Sequence, residues 1–270
     1  MSRTIRFHKF GPAEVLKCEE HAAALPAPGE VQVRVDAIGI SWYDILWRQN
    51  LASSHARLPS GLGHEMAGVV VALGEGDVEH LVELVAKHVR CEFRKPYLDY
   101  NKAAFEHSLA GWDGKAPLIL DAGCGVGHST IQLARAFPDH WVIGVDQSED
   151  RLTRKKPYPD ALMPRNMVFV RADLVDYWRL MAEAGIRLAR HYILYPNPWP
   201  KIGHLARRWH AHPVFPFVPR LGGRLECRSN WHIYVEEFAL AIGLLTGREV
   251  GWESLEAPSP LTPFERKYRD

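Results

Sequence analysis

The residues best suited to ligand chemistry surround a glycine-rich turn in the middle of the chain. Residues 118–130 have the sequence LILDAGCGVGHST, in which an apolar strand passes through an acid and three alternating glycines into a helix. Glycines let a backbone turn tightly and approach a ligand, and a helix start offers unpaired N–H groups and a positive dipole end. The pattern predicts a ligand-binding turn built from Asp121, Gly123, Gly125 and Gly127.

Two further acids end the next two predicted strands. Asp146 ends the strand at 142–146, 25 residues after Asp121, and Asp173 ends the strand at 169–173. Ligands of open parallel sheets bind beyond the carboxyl ends of the strands, so the three acids are expected to form one rim. There Asp146 can accept hydrogen bonds from both hydroxyls of a ribose, and Asp173 can accept one from an adenine amino group.

A fourth predicted strand, at 191–195, is followed by PNPWP and then by residues 201–212, which we call the basic run. The basic run carries three fixed positive charges, three histidines and no acid, in a chain whose formal net charge is only +1. Such a local concentration of charge predicts phosphate binding, with a solvated helix face as the alternative. Trp199 and Trp209 can stack on bases or simply pack. The candidate phosphate contacts are Lys201, His204, Arg207 and Arg208.

Composition limits the classes of protein to which the chain can belong. Its 270 residues are 47% hydrophobic and 24% charged, which excludes disordered and collagen-like chains. No apolar run is long enough to span a bilayer and no secretory signal is evident, so a soluble, cytoplasmic protein without a membrane partner is expected. The four cysteines are far apart, which favours free thiols and indicates no metal site. The oligomeric state is left open.

The order of predicted elements divides the chain near Asp77. Residues 1–76 contain alternating apolar and polar runs at 5–8 and 31–40 and an apolar run at 66–73, typical of a β-rich module. Residues 77–270 alternate helices and strands, which predicts an α/β domain with a parallel sheet covered on both faces.

The Asp-x-Gly-x-Gly-x-Gly pattern, with an acid ending the second strand, resembles the class I S-adenosylmethionine-dependent methyltransferases. The resemblance implies a Rossmann-like, mostly parallel, seven-stranded sheet and S-adenosyl-L-methionine as cofactor. It also implies that Asp121 and the three glycines hold the amino acid and sulfonium end of the cofactor. Asp146 would hold the ribose and Asp173 the adenine.

Residues of about 90–270 resemble the tRNA (guanine-N7)-methyltransferases. The similarity lies in residues 196–200 (PNPWP), which we call the Pro-Trp segment, and in the basic run after it. It also lies in SNWHIY at 229–234 and in LTPFERKY at 261–268. It implies methyl transfer to guanine N7 in tRNA, with RNA binding through the basic run. Tyr195 and Trp199 would line the base pocket, and Thr262 and Glu265 would close it from the C-terminal side.

Two departures from that family bear on substrate choice. Asn197 and Asn230 stand where the family has aspartates, and we expect them to orient the base. A carboxylate can accept two hydrogen bonds from the N1–H and amino edge of guanine, whereas an asparagine side chain offers one acceptor group and one donor. Asn197-Pro198-Trp199 also resembles a segment of amino methyltransferases. The alternatives are therefore an amino-group or small-molecule methyltransferase, and a catalytically weakened paralogue that binds RNA or cofactor.

The N-terminal module resembles the start of medium-chain dehydrogenases and quinone oxidoreductases. The matching segments are FGPAEVL at 10–16, PGEV at 28–31 and GHEMAGVV at 63–70. The resemblance implies a partial GroES-like segment. Because no nicotinamide-binding unit of that family follows, we expect no oxidoreductase activity, and His64 and Glu65 are expected to be remnants of the fold.

Overall fold

The computed structural model describes residues 2–27, 30–73, 75–91, 93–154, 162–200, 203–255 and 260–267. The chain divides into two compact units, Met1–Glu79 and His80–Asp270. The division falls inside a helix, α2, close to the boundary that the sequence predicted near Asp77.

The first unit is built from two small antiparallel sheets and one short helix. Its elements are β1 (Ser2–Phe7), β2 (Leu16–His21), β3 (Val31–Gly39), α1 (Trp42–Arg48), β4 (Ser60–Gly61) and β5 (Glu65–Leu73). One sheet has the order β2-β1-β4, and β3 pairs with β5 in the other. A capping box of Ser41 and Asp44 starts α1. The sequence predicted the β-rich character of this module, but it did not predict β2 or α1.

The second unit alternates helices and strands along the chain. Its elements are α2 (Glu75–Arg90, which begins in the first unit), α3 (Asp99–Leu109), β6 (Leu118–Ala122), α4 (His128–Ala136), β7 (Trp141–Asp146), α5 (Glu149–Thr153), β8 (Met167–Arg171), α6 (Leu174–Glu183), β9 (Leu188–Leu194), α7 (Phe217–Arg220), β10 (Arg224–Arg228), α8 (His232–Thr246) and α9 (Pro263–Lys267).

A five-stranded sheet with the order β10-β9-β6-β7-β8 forms the centre of this unit, and every pairing in it is parallel. The predicted α/β class with a parallel sheet is therefore confirmed. The family resemblance implied seven strands. In the described residues after β10 the chain forms α8 and α9 instead of further sheet strands.

The central strands are buried because both faces of the sheet are covered. Leu118, Leu120 and Ile143 belong to the larger apolar cluster, whereas Ile119 and Val142 belong to a second cluster. Successive side chains of a strand point to opposite faces, so the continuous apolar runs in the sequence supply both clusters at once. This packing fixes the carboxyl ends of β6, β7 and β9 side by side.

None of the helices in the described part of the chain combines the length and the apolar character that a membrane span requires.

Candidate active site

The turn after β6, residues 123–127, is open on its outer side, and we call it the glycine turn. Gly123, Gly125 and Gly127 have φ values of +82°, +57° and +80°, in the left-handed region that side chains disfavour. A Cβ atom added to Gly123 or Gly125 would meet no heavy atom within 4 Å. The glycine turn therefore has open space beside Gly123 and Gly125, and its role in binding a ligand stays a prediction.

Asp146, at the end of β7, lies directly beside the glycine turn. Its Oδ2 accepts a hydrogen bond from the N–H of Gly125 at 2.9 Å, and its Oδ1 accepts one from the N–H of Ser148 at 2.8 Å. The guanidinium of Arg151 lies 3.8 Å from Oδ2. These contacts hold a largely buried carboxylate at the rim, and they leave each oxygen with acceptor capacity.

Asp121 lies buried beneath the glycine turn and stabilises it through hydrogen bonds to α4. Its carboxyl is buried, and its Oδ2 accepts hydrogen bonds from the hydroxyls of Ser129 and Thr130, both at 2.6 Å. Burial raises the pKa of Asp121 to about 6, although these two hydrogen bonds act in the opposite direction. The contacts anchor the first turn of α4 to the end of β6 and so fix the glycine turn between them.

Asp173 caps a helix at the third strand end. Its Oδ1 accepts a hydrogen bond from the N–H of Val175 at 2.9 Å at the start of α6, and the Nζ of Lys95 lies 3.5 Å from its Oδ2. The carboxylate is still partly exposed, with 26% of its side-chain surface accessible. The structure therefore places Asp173 at the rim with one oxygen used by the helix cap.

Tyr195 begins the segment after β9 with a left-handed backbone, at φ +50°. Its N–H donates to the carbonyl of Arg228, and its hydroxyl donates to Oε1 of Glu265 at 3.1 Å. Burial, with the neighbouring Glu265 carboxylate, raises the pKa of Tyr195 to about 12. Its ring lies 4.6 Å from that of Phe264, so the C-terminal segment packs against the end of the fourth strand.

The C-terminal segment, residues 260–267, is fastened to the rim through Glu265. Thr262 and Glu265 form a capping box, in which Glu265 Oε2 accepts from the N–H of Thr262 and the hydroxyl of Thr262 accepts from the N–H of Glu265. Arg228, at the end of β10, donates to Glu265 at 2.8 Å. Arg266 lies 3.1 Å from the ring of His128 at the start of α4.

Sequence reasoning missed Arg228, Arg266 and His128. A Thr-x-x-Glu pattern predicts a capping box, and an arginine at a strand end is compatible with a partner carboxylate. The carboxylate that Arg228 binds is that of Glu265, 37 residues further along the chain, and no local sequence pattern specifies so distant a partner.

The two asparagines lie on the exposed side of this region. The Oδ1 of Asn197 accepts a hydrogen bond from the N–H of Trp199 at 3.2 Å, and its amide NH2 group offers hydrogen-bond donors to a ligand. Trp199 itself has a left-handed backbone, at φ +44°. Asn230 is also exposed, two residues beyond the end of β10.

The basic run differs from the exposed strip that its charges suggested. It contains two short 3-10 turns, Leu205–Arg207 and Trp209–Ala211, rather than one helix face. The guanidinium of Arg208 donates to both oxygens of Glu237, at 2.7 and 2.5 Å, and Glu237 is only 4% exposed. Arg208 also donates to the carbonyl of Trp199. Arg208 is therefore part of the packed structure beneath the Pro-Trp segment.

The other residues of the basic run differ in their exposure to solvent. Arg207 is exposed, with its guanidinium 5.0 Å from the centre of the Trp199 ring, and His204 meets the edge of the same ring at 5.7 Å. Trp209 packs on Trp178 at 4.8 Å, which makes it a core contact rather than an exposed stacking platform. Lys201 lies outside the described residues.

Comparisons with known proteins divide the chain in two. The family model described as "Putative methyltransferase" (Methyltransf_4) matches residues 115–263, and the model described as "Alcohol dehydrogenase GroES-like domain" matches residues 27–99. The first match covers more than half of the chain and includes the glycine turn, Asp146 and the Pro-Trp segment.

Individual relatives agree with this division. A tRNA (guanine-N(7)-)-methyltransferase of Acidovorax sp. (strain JS42) is 28% identical over 205 residues, which cover 71% of this chain and 75% of that protein. Quinone oxidoreductase 1 of Escherichia coli (strain K12) is 46% identical over 81 residues, 30% of this chain and only 24% of that protein. A crystal structure of the antibiotic-resistance methyltransferase Kmr overlaps 56% of this chain and 85% of its own, at 20% identity and a TM-score of 0.34.

Proposed function

Because the chain belongs to the Methyltransf_4 family of methyltransferases, we propose that it methylates a nucleobase of tRNA and that the acceptor atom is N7 of a guanine. The observation that carries the proposal is the open glycine turn with the Asp146 carboxylate hydrogen-bonded to it. The C-terminal segment is bound at the end of β10, where Arg228 donates to Glu265. The tRNA substrate is supported by the relatives at about 30% identity, which are tRNA (guanine-N(7)-)-methyltransferases.

The residues around the glycine turn fit S-adenosylmethionine, the methyl donor of this enzyme. The free space beside Gly123 and Gly125 suits a ligand that approaches the backbone closely, and the carboxylate of Asp146 suits a pair of ribose hydroxyls. When bound, S-adenosylmethionine supplies an electrophilic methyl group. The carboxyl of Asp121 is buried and holds the first turn of α4 through Ser129 and Thr130, so we assign it the positioning of the glycine turn.

The protein's own contribution to the reaction is alignment. Guanine N7 carries a lone pair at neutral pH, so its methylation needs no strong general base, and holding the reactants in line can provide most of the acceleration. We assign Tyr195 and Trp199 to the walls of the base site, Asn197 and Asn230 to the edge of the base, and Thr262 and Glu265 to its C-terminal side. Arg207 is the exposed cation of the described basic run and the best placed to meet a phosphate, whereas Arg208 positions the Pro-Trp segment through Glu237.

A second candidate, transfer to an amino group or a small molecule, is favoured by the orientation of Asn197. The N–H of Trp199 binds Oδ1 and so orients the side chain, whose amide nitrogen offers a donor where an aspartate would offer a second acceptor oxygen. A hydrogen-bond donor at this position suits a methyl-accepting molecule that presents a lone pair to the side chain of Asn197.

An assay with isotopically labelled methyl donor separates these candidates. We expect label to be incorporated into bulk tRNA and not into free amines or mononucleosides. Incorporation into small acceptors with none into tRNA would establish the second candidate and exclude the first. Binding of donor and tRNA without any transfer would identify a catalytically weakened paralogue. A cytoplasmic location remains a prediction.

A further inference from the structure

The guanidinium of Arg266 lies at the end of the glycine turn, although Arg266 belongs to the C-terminal segment. Its Nη2 is 3.1 Å from Nε2 of His128, which lies 138 residues earlier in the chain, follows Gly127 and begins α4. His128 is only 6% exposed, whereas Arg266 is exposed. The C-terminal segment therefore brings an accessible cation to the place where the glycine turn enters α4.

The contact with His128 leaves the charge of Arg266 free to meet an anion. Burial, with the neighbouring charge of Arg266, lowers the pKa of His128, so its ring is neutral at neutral pH and accepts from the arginine. Arg228, the neighbouring cation, is ion-paired with both Glu226 and Glu265. Arg266 forms no ion pair with a carboxylate of the described residues, and a guanidinium has several donors of which His128 accepts one.

The order of the strands places Arg266 on one particular side of the glycine turn. In the sheet, β6 lies between β9 and β7. Glu265 binds Tyr195, just after β9, and Arg228, at the end of β10, while Arg266 reaches the start of α4, after β6. The C-terminal segment therefore meets the ends of β10, β9 and β6, on the side of the glycine turn away from Asp146, which ends β7.

We propose that Arg266 binds the carboxylate of the methionine part of S-adenosylmethionine. The inference rests on the donor site of the proposed function, in which Asp146 holds the ribose. With the ribose on the β7 side, the amino acid end of the donor extends along the glycine turn toward the β9 side, where the guanidinium of Arg266 lies.

The chemistry of the two groups fits this assignment. The planar fork of a guanidinium matches the two oxygens of a carboxylate, and such charge-assisted pairs are stronger than hydrogen bonds between neutral groups. The contact would also link the bound donor to the segment that carries Thr262 and Glu265. Arg266 would thus connect binding of the donor with the C-terminal side of the base site.

The test compares Arg266→Gln with wild type on two ligands that differ in a single group. Decarboxylated S-adenosylmethionine keeps the adenosine, the sulfonium and the amino group of the donor and lacks only the carboxylate. Isothermal titration calorimetry gives the dissociation constants of both ligands, and melting temperatures show that the variants are folded. Arg248→Gln is the matched control, because Arg248 is an exposed arginine beyond the end of α8.

Arg266→Gln is expected to bind S-adenosylmethionine about tenfold more weakly than wild type, the loss of one charge-assisted contact. It should bind the decarboxylated ligand as tightly as wild type does, or more tightly, because the missing guanidinium no longer repels a positively charged ligand. Arg248→Gln should bind both ligands as wild type does.

An equal loss of affinity for the two ligands would overturn the proposal, because it would show that Arg266 only fastens the C-terminal segment to His128. Unchanged affinity for S-adenosylmethionine would overturn it as well, and weaker binding of tRNA by Arg266→Gln in that case would assign the guanidinium to a phosphate of the RNA. Methyl transfer by the wild type is measured separately. A carboxylate-dependent loss of donor affinity in a protein that methylates no tRNA would support the assignment of Arg266 and refute the proposed function.

Discussion

Asp146 joins the glycine turn to the second strand of the sheet through hydrogen bonds from Gly125 and Ser148. The two N–H donors fix the carboxylate without exhausting it, because each oxygen can accept more than one hydrogen bond. The residue therefore holds the shape of the turn and keeps acceptor capacity, which the proposed function assigns to the hydroxyls of a ribose.

Replacing Asp146 by Ala should weaken binding of S-adenosylmethionine by at least about tenfold, since hydrogen bonds to charged groups contribute roughly 1.5–3 kcal/mol each. Isothermal titration calorimetry gives the dissociation constants. Asp150→Ala is the matched control, because Asp150 is a nearby carboxylate that is 77% exposed and pairs with Arg154. Equal titrations for wild type and Asp146→Ala would refute the role assigned to Asp146.

Restoring the family's aspartates at Asn197 and Asn230 should increase methyl transfer to tRNA guanine. A charged acceptor at the base edge is worth roughly 1.5–3 kcal/mol, so the double variant is expected to raise kcat/KM by about tenfold or more. Initial rates with a tRNA transcript measure the effect, and the two single variants show whether one position dominates. A correctly folded double variant that is no faster than the wild type would show that these positions do not govern guanine recognition.

At the scale of elements, β9 carries a buried histidine that couples stability to pH. The Nε2 of His191 accepts a hydrogen bond from the indole N–H of Trp178 at 3.1 Å, and its ring is fully buried. Burial lowers the pKa of His191 to about 3. The folded protein therefore keeps the ring neutral at pH values where the unfolded chain binds a proton.

Between pH 3 and about 6.5 the contribution of His191 to stability rises with pH, because the unfolded state binds more protons than the folded state. When the pH is lowered from 7.5 to 5, the free energy of unfolding of the wild type should therefore fall by about 2 kcal/mol more than that of His191→Gln. Urea unfolding at both pH values measures the difference. Comparing the two proteins separates His191 from Asp121, whose raised pKa acts in the opposite sense. An equal pH dependence in wild type and variant would contradict the buried neutral ring.

Most elements of the second unit could be predicted, because continuous apolar runs and helical spacing are local signals. The roles of charged residues inside those elements could not. Arg208 belongs to a basic run in the sequence, and its partner Glu237 lies 29 residues further on, in α8. The sequence predicted that Asp173 ends a strand, whereas β8 ends at Arg171 and Asp173 is the N-cap of α6, a role that competes with the ligand role expected of it. In both cases a contact between elements decides what the side chain does.

At the scale of the whole molecule, two units with different relatives share one chain. The first unit contains the segment similar to quinone oxidoreductases and exposes several large apolar side chains, among them Ile38 at 65% and Met66 at 62%. Its family was recognisable from sequence, because the GHEMAGVV and FGPAEVL segments are specific. Every residue assigned above to the methyl donor or the base lies in the second unit.

Removing residues 1–73 should therefore leave binding of S-adenosylmethionine within about threefold of the full chain, as expected for sites that share no partners. The deletion keeps α2 complete, because Leu81 and Val85 of that helix belong to the core of the second unit. Calorimetry on the folded deletion variant is the measurement. A tenfold loss of donor affinity with circular dichroism unchanged would show that the first unit takes part in the site.

Whether this protein methylates guanine N7 in tRNA is measured by nucleoside mass spectrometry of tRNA incubated with the 270-residue chain and S-adenosylmethionine. We expect one new methylated nucleoside, 7-methylguanosine, which forms with the wild type and is strongly reduced with Asp146→Ala. Unmodified tRNA, or a methyl group on a different base, would contradict this expectation.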